Sequence, residues 1–452
     1  MMRCSRQRMK KGALTAAIVA SITWSSACGA ADGEVLTPIG AERAGNADGS
    51  IPAWQGGITQ RPVNYDPAEH CVDPYADDAV LFTIDAQNAS VYADKLSDGQ
   101  RALFEAFPDT WRMRVYPTRR SASYPEFVYD AVLRNQQTAA VLPGKGGVSG
   151  SRVGSPFREP KNGLEAIWNH NLRWRGLRVE RSDGSAAVTA KGRFALVLSV
   201  QQLAFAYGVP GEKLGWKFAN VLLAAKLKVL SPAALSGRGT LVIEPIDQTR
   251  DPRKVWLYLP ALRQLTRQPN YAYAVPAPNT DALRTVDDFE LFSGATDRFE
   301  WQLLGKREMY IPYNAYRVHS DNVSAEQIVG RKHVDPNLLR YELHRVWVVE
   351  AVLKPGEKHI YGRRMFYLDE DSWQVALSDS WDLTGTLWRT AEAHALNYYQ
   401  VPVLWSTLFT YYDLKSHRYL VEGLDNGRAP YRFTDTAYPR EFTPNALNYY
   451  LR

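Results

Sequence analysis

The stretch KVWLYLP at residues 254–260 alternates as a β-strand does, yet both of its faces are apolar. Val255, Leu257 and Leu259 would point one way, Trp256 and Tyr258 the other. A half-buried antiparallel strand needs only one apolar face. The same excess recurs in RVWVVEAV, where Trp347, Val349 and Ala351 oppose Val346, Val348 and Val352. Two dry faces demand two covers, and a cover can be a helix, a second sheet, a partner protein or an apolar ligand. A sheet curved around a cavity meets the demand within one chain. A thick sandwich core meets it as well, and these residues alone leave both open.

Strand-like segments follow one another after residue 160. FALVLSVQQLAFAY (194–207), NVLLAAKLKVL (220–230), GTLVIEPID (239–247) and KVWLYLP are separated by turns such as SPAALSGR and QTRDPR. RFEWQLLGKREMYI (298–311) and RYELHRVWVVEAVLK (340–354) come next. RRMFYLDEDSWQVALSDSW (363–381) and FTYYDLKSHRYLVEGLD (409–425) read as hairpins turning at DED and LKS. Strands joined by short turns predict an antiparallel meander. The lack of regular helices between them argues against a doubly wound parallel sheet, and the lack of a fixed period against a propeller. Residues 32–160 read differently, as an extended arm over 37–57 anchored by Trp54 and one helix over 88–107 stopped by Pro108. LPGKGGVSGSRVGSPF (142–157) is a Gly/Ser loop without the ending of a phosphate loop.

The first 31 residues carry five basic side chains, a short apolar run and then small residues, the pattern of a secretory signal. Cleavage is expected near Ala31; SSAC also offers a lipidation site at Cys28, but with Ser25 where an aliphatic residue is usual. Without this leader the chain holds 49 basic and 48 acidic residues, so its basic balance gives no support for nucleic-acid binding. No later segment is long and apolar enough to span a bilayer. Cys71 then stands alone, which excludes a disulfide framework and a thiolate metal site.

GAERAGNADGSIPAWQGG, RDPRKVWLYLPALRQLTR, DDFELFSGATDRFEWQLLGKREMYIPYNAYR, LRYELHRVWVVEAVLK and RRMFYLDEDSWQVALSDSWDLTGTLWR together resemble the DUF1329 family of Gram-negative exported proteins. The resemblance runs from about residue 36 to the C-terminus. It implies a fold similar to the lipoprotein carriers LolA and LolB: mainly β, a large curved antiparallel sheet or incomplete barrel with helices plugging its concave side. It also implies an envelope transport setting, with an RND-type exporter or an outer-membrane protein as partner. The organisation expected is a signal peptide (1–31), an arm and helical segment packing on the sheet (32–160) and the curved β domain (161–452).

Catalytic and metal motifs are sparse. No histidine pair has the spacing of a zinc site, no Gly-x-Ser-x-Gly elbow occurs, and DEDS lacks the longer acidic loop that binds calcium. Glu342 and His344 share a strand face and read as a structural hydrogen bond more than an acid–base pair. The expectation is therefore a non-enzymatic periplasmic protein, without cofactor or metal, that binds or chaperones a lipid or another hydrophobic molecule. The alternative is a scaffold whose apolar groove holds a protein partner. Trp256, Tyr258, Trp301, Trp347, Val349, Phe366, Trp373 and Trp381 are the candidate cavity wall, and Arg263 and Arg267 the candidate headgroup ligands.

Overall fold

The computed structural model describes residues 35–144, 146–208 and 220–451, so the signal-like segment and Cys28 lie outside the described residues. Sixteen strands form one sheet. Its body is built from β1 (Arg178–Val188), β2 (Leu196–Ala204), β3 (Leu223–Ser231), β4 (Gly239–Glu244), β5 (Lys254–Leu259), β6 (Gln264–Gln268), β7 (Phe299–Pro312), β8 (Tyr341–Leu353), β9 (Tyr361–Asp369), β10 (Val375–Asp382), β11 (Leu387–Tyr398), β12 (Val403–Asp413) and β13 (Arg418–Leu424). Two antiparallel meanders, β1 to β6 and β7 to β13, join where β13 pairs with β1. The last strand β6 pairs only with β5, so the sheet is open. The chain is thus mainly β, as the succession of two-faced strands predicts.

The sheet is strongly curved where β12, β13 and β1 to β5 meet. Neighbouring strands lie roughly 4.8 Å apart, so these seven would span roughly 29 Å if flat. Yet Phe409 and Tyr411 of β12 and Val255 of β5 line one cavity of about 210 Å³.

Among the described residues the helices of eight residues or more are α1 (Asp98–Ala106), α2 (Glu126–Thr138), α3 (Gly163–Leu172) and α4 (Pro444–Leu451). The single helix expected over 88–107 is two pieces. A 3-10 turn, Ala89–Lys95, ends at the extended Leu96, and Ser97 then caps α1. Ser97 and Gln100 cap each other's backbone N–H groups, a local signal that outweighs the longer apolar periodicity. α1 lies so close to β10 and β11 that a Cβ at Gly99 would sit 2.1 Å from Asp379 Oδ1. α3 does the same to β7, where Gly163 rests on the backbone of Gln302.

These covers account for most of the two apolar faces, while Leu259 and Val352 at the strand ends stay exposed. In β8, Val349 and Ala351 join a core with Ile167 and Trp168 of α3. Val346 and Val348 join a second core with Ala122, Met309 and Trp381. In β5, Trp256 packs with Leu447 and Leu451 of α4, while Val255 faces the cavity.

The DED turn is a hairpin turn as expected, but it is buried: Asp369, Glu370 and Asp371 are each 3% exposed or less. Arg120 donates to both carboxylate oxygens of Asp371, at 2.8 and 2.6 Å, and to the carbonyl of Glu42 at 2.8 Å. Lys306 and Arg345 pair with Glu370. The N-terminal arm is thereby fixed to the sheet. Glu342 accepts from Arg340, Asn314, the Arg119 amide and His344, so the Glu342–His344 contact is part of a buried structural network.

A second buried carboxyl gives a pH prediction. Glu392 of β11 accepts from Tyr341 Oη at 2.8 Å and Gln100 Nε2 at 3.4 Å. Burial nevertheless pushes its pKa from 4.5 up to about 7. A carboxyl raised in the fold binds its proton more tightly there than in the unfolded chain. Stability therefore falls as pH rises from about 4.5 to about 7, and levels above. Replacement Glu392→Gln is expected to gain stability over the parent chain by on the order of 2–3 kcal/mol more at pH 8 than at pH 5. Urea denaturation at both pH values checks this; equal differences at the two pH values would contradict it.

Candidate functional site

The cavity under the curved part of the sheet has an apolar middle and an ionic frame. Val197, Ala225, Leu227 and Val242 line it, none of them fully buried, and Val255, Phe409 and Tyr411 complete the apolar wall. These side chains alternate along β2 to β5 with residues on the opposite face, as the pleat requires. Around them stand Arg181 and Asp183 from β1, Glu244 and Arg253 beside β4 and β5, and Arg284, Glu290 and Glu422. Each of these guanidinium groups has a carboxylate partner, whereas Lys226, which also lines the cavity, donates to the Glu441 carbonyl at 3.1 Å. Arg181 Nε lies 3.3 Å from Asp183, Arg253 pairs with Glu244, and Arg284 reaches both oxygens of Glu422 at 2.6 and 2.9 Å. The charged frame is therefore locally neutralised and leaves the aliphatic middle as the surface a ligand would meet.

Residues 271–293 close the concave side. This segment is tied down by ions: Arg364 of β9 holds Asp287 and Asp288, at 3.2 and 2.6 Å. Glu290 accepts from Arg173 and Arg175, each at 2.6 Å, and from Trp405 Nε1 at 2.8 Å. Glu290 and Leu291 adopt left-handed φ angles of 51° and 68°, which non-glycine residues keep only where surrounding contacts impose them. Burial alone would raise the Glu290 carboxyl, but Arg175 and Arg173 outweigh it and hold the group well below the usual carboxylate range. At Asp183 burial dominates over Arg181, and its pKa rises to about 6.

The expected site residues fall in other places. Trp256 and Tyr258 are half-buried on β5 and do not line this cavity; Trp256 lies on the α4 side of the sheet. Trp301 stacks on Phe366 with centroids 5.9 Å apart, and Phe292 meets both rings edge-on. Trp347 stacks on Trp373 at 6.0 Å, and Trp373 donates to the carbonyl of Ile39. Val349 is buried in the α3 core, and Trp381 lies under the guanidinium of Arg363 at 4.2 Å. Arg263 and Arg267 are exposed on the β5–β6 hairpin, where Arg267 lies 6.0 Å from the Trp256 ring. The guanidinium groups at the cavity are instead Arg181, Arg253 and Arg284. No sequence signal marked β1, because RVERSDGSAAV turns Arg181, Asp183 and Ser185 toward the cavity and so lacks an apolar face there.

The profile of "Protein of unknown function (DUF1329)" matches residues 83–448. The chain belongs to the DUF1329 family. This DUF1329 protein is 44% identical over 416 residues to the uncharacterized protein PA3922 of Pseudomonas aeruginosa, covering 92% of this chain and 91% of that one. Among solved structures it is similar to a putative outer membrane lipoprotein-sorting protein domain from Vibrio parahaemolyticus, at 14% identity and a TM-score of 0.44, over 63% of this chain and 98% of that one. A DUF1329 family protein from Desulfovibrio piger matches at 14% identity and a TM-score of 0.39, over 60% and 92% of the two chains. The LolA superfamily protein NE2245 from Nitrosomonas europaea matches at 12% identity and a TM-score of 0.38, over 64% and 100%. Among the described residues, no helix is long and apolar enough to cross a membrane.

Proposed function

We propose that this DUF1329 protein is a periplasmic binding protein that carries or chaperones a hydrophobic molecule, with the cavity between β12–β5 and residues 271–293 as its site. One observation carries the reading: a cavity of about 210 Å³ whose middle is aliphatic and only partly covered, in a sheet whose aromatic clusters around α3 and β10 are packed by the chain itself. An apolar cavity of about 150 Å³ holds one benzene. The volume here therefore suits a ring or a short alkyl segment, and a longer chain would run out through the open side. Burial gains about 0.8 kcal/mol per methylene, and a membrane offers the same gain. A carrier must then release its cargo, and movement of residues 271–293 is the proposed route. The leader-like residues 1–31 support export, and the family resemblance adds an RND-type exporter or outer-membrane protein as the partner.

Native mass spectrometry of the chain isolated from its own cell envelope tests this. The expected result is a retained nonpolar small molecule at one per chain. An empty chain holding a stoichiometric protein partner would overturn it in favour of a scaffold.

A further inference from the structure

Three segments far apart in sequence bring together His70, His319 and Asp425, none of which lines the cavity. His319 ends the short helix Tyr316–His319, Asp425 follows β13, and His70 lies in the irregular segment that precedes the sheet. The two imidazole rings meet edge to face with centroids 4.6 Å apart. His319 Nδ1 lies 2.6 Å from Asp425 Oδ2, and His70 Nε2 lies 3.9 Å from the same oxygen. The three side chains are 1%, 4% and 0% exposed for His319, His70 and Asp425.

The hydrogen bonding of this cluster is incomplete in an informative way. His70 Nδ1 lies 3.0 Å from Asp321 Oδ2, and that carboxylate makes Nδ1 the donor nitrogen. Nε2 then presents its lone pair toward Asp425. Among the described residues neither His70 Nε2 nor Asp425 Oδ1 has a hydrogen-bond partner. A lone pair thus faces, in a dry interior, a carboxylate whose charge is met only from the His319 side, and a cation between them would satisfy both unpartnered atoms.

We propose that His70, His319 and Asp425 bind a divalent transition-metal ion of the zinc type. The ligands are His70 Nε2, His319 Nδ1 and a carboxylate oxygen of Asp425. Asp321 is the outer carboxylate that orients His70, a pairing that metal-ligating histidines ordinarily show. Two imidazoles and one carboxylate suit zinc and its neighbours; calcium and magnesium prefer oxygen ligands throughout. Ligands about 2.1 Å from zinc sit roughly 3.4 Å apart in a tetrahedron, and the separations of 2.6 and 3.9 Å bracket that value. On loading, the His319 imidazolium gives up its Nδ1 proton to solvent and keeps the one on Nε2, so a neutral ring binds the ion, which replaces the Nδ1 hydrogen bond to Asp425. Thr407 Oγ1 donates to Asp425 Oδ2 at 3.0 Å and steadies the carboxylate. The other cluster of this kind, His344, Asp369 and Asp371, lacks this incompleteness: Glu342, Ser372 and Arg120 already pair with its members. The ion would tie the segment around His70 to the end of β13.

The test uses the mature chain stripped with EDTA and titrated with zinc chloride against a chromophoric chelator. One zinc per chain is expected, with binding at least 100-fold weaker in His70→Ala. Asp321→Asn, at a half-exposed position that the fold tolerates, is expected to weaken binding roughly 10- to 100-fold. Zinc should raise the Tm of the parent chain and leave that of His70→Ala unchanged. Cobalt(II) in place of zinc should give the intense visible bands of a tetrahedral site. Equal zinc binding by the parent and His70→Ala, or a cobalt spectrum like that of the free ion, would overturn the proposal.

Discussion

Replacing Arg120 by alanine is expected to destabilise the fold by about 3–5 kcal/mol, the cost of leaving a buried charge without its partner. The Arg120 side chain is 3% exposed and that of Asp371 2%. Its fork holds Asp371, while the remaining N–H groups reach the carbonyls of Glu42 and Pro52 in the arm. Burial opposes its charge, but Asp371, Glu370 and Asp369 outweigh burial and raise its pKa. Without Arg120 the turn keeps three adjacent carboxyls: Glu370 retains Lys306 and Arg345, Asp369 retains His344 at 3.9 Å, and Asp371 loses its guanidinium partner. The arm also loses its bonds from Arg120 to the Glu42 and Pro52 carbonyls, though Lys306 and Arg345 still hold Glu42. Urea denaturation should show the loss of stability, and limited proteolysis should cut earlier near residues 43–54. The double variant Arg120→Met with Asp371→Leu should be more stable than Arg120→Ala alone, because no charge is then stranded. A single variant as stable as the parent would show that the turn does not depend on this pair.

Glu290→Gln is expected to have an effect of the same size, about 3–5 kcal/mol, for the converse reason. Here two guanidinium groups lose their shared carboxylate. The side chains of Arg173 and Arg175 are 1% and 5% exposed, so water cannot replace it. The glutamine amide would also turn a donor toward groups that only donate. Because Glu290 fixes residues 271–293 over the cavity, trypsin should cleave at Arg284 faster in this variant. Glu422→Gln, at a side chain 22% exposed, should be milder because solvent reaches it. Unchanged denaturation and cleavage rates in Glu290→Gln would contradict the role given to this ion cluster.

Much of the sheet was legible because its strands carry apolar residues on both faces and turn at recognisable points. Residues 363–381 fold as the hairpin read from them, with Asp369 and Val375 flanking the turn. The burial of that turn was not legible, since three acidic residues at a hairpin tip read as solvated and their partner Arg120 lies 251 positions away. α3 was equally hidden: every residue of GLEAIWNHNL except Glu165 is buried, so it lacks the polar face that marks an amphipathic helix. The cavity escaped for a related reason. Large aromatic side chains fill space, and Trp301, Phe366, Trp347 and Trp373 do so by stacking on one another. A hollow remains where side chains are small or branched, as at Ala225, Val197 and Val242. The histidines at 70 and 319 carry no spacing motif, because only the folded sheet brings them to Asp425.

The most direct test of the account is a binding titration with N-phenyl-1-naphthylamine, a nonpolar dye that brightens out of water, on the parent chain and on Ala225→Trp. Ala225 lies on β3 with its side chain in the cavity, so an indole there would fill the hollow from within. The account predicts one saturable site on the parent, at least 10-fold weaker affinity in Ala225→Trp, and unchanged affinity in Trp256→Ala on the opposite face. Equal dye binding by the parent and Ala225→Trp, with both folded, would place the apolar site elsewhere and contradict the account.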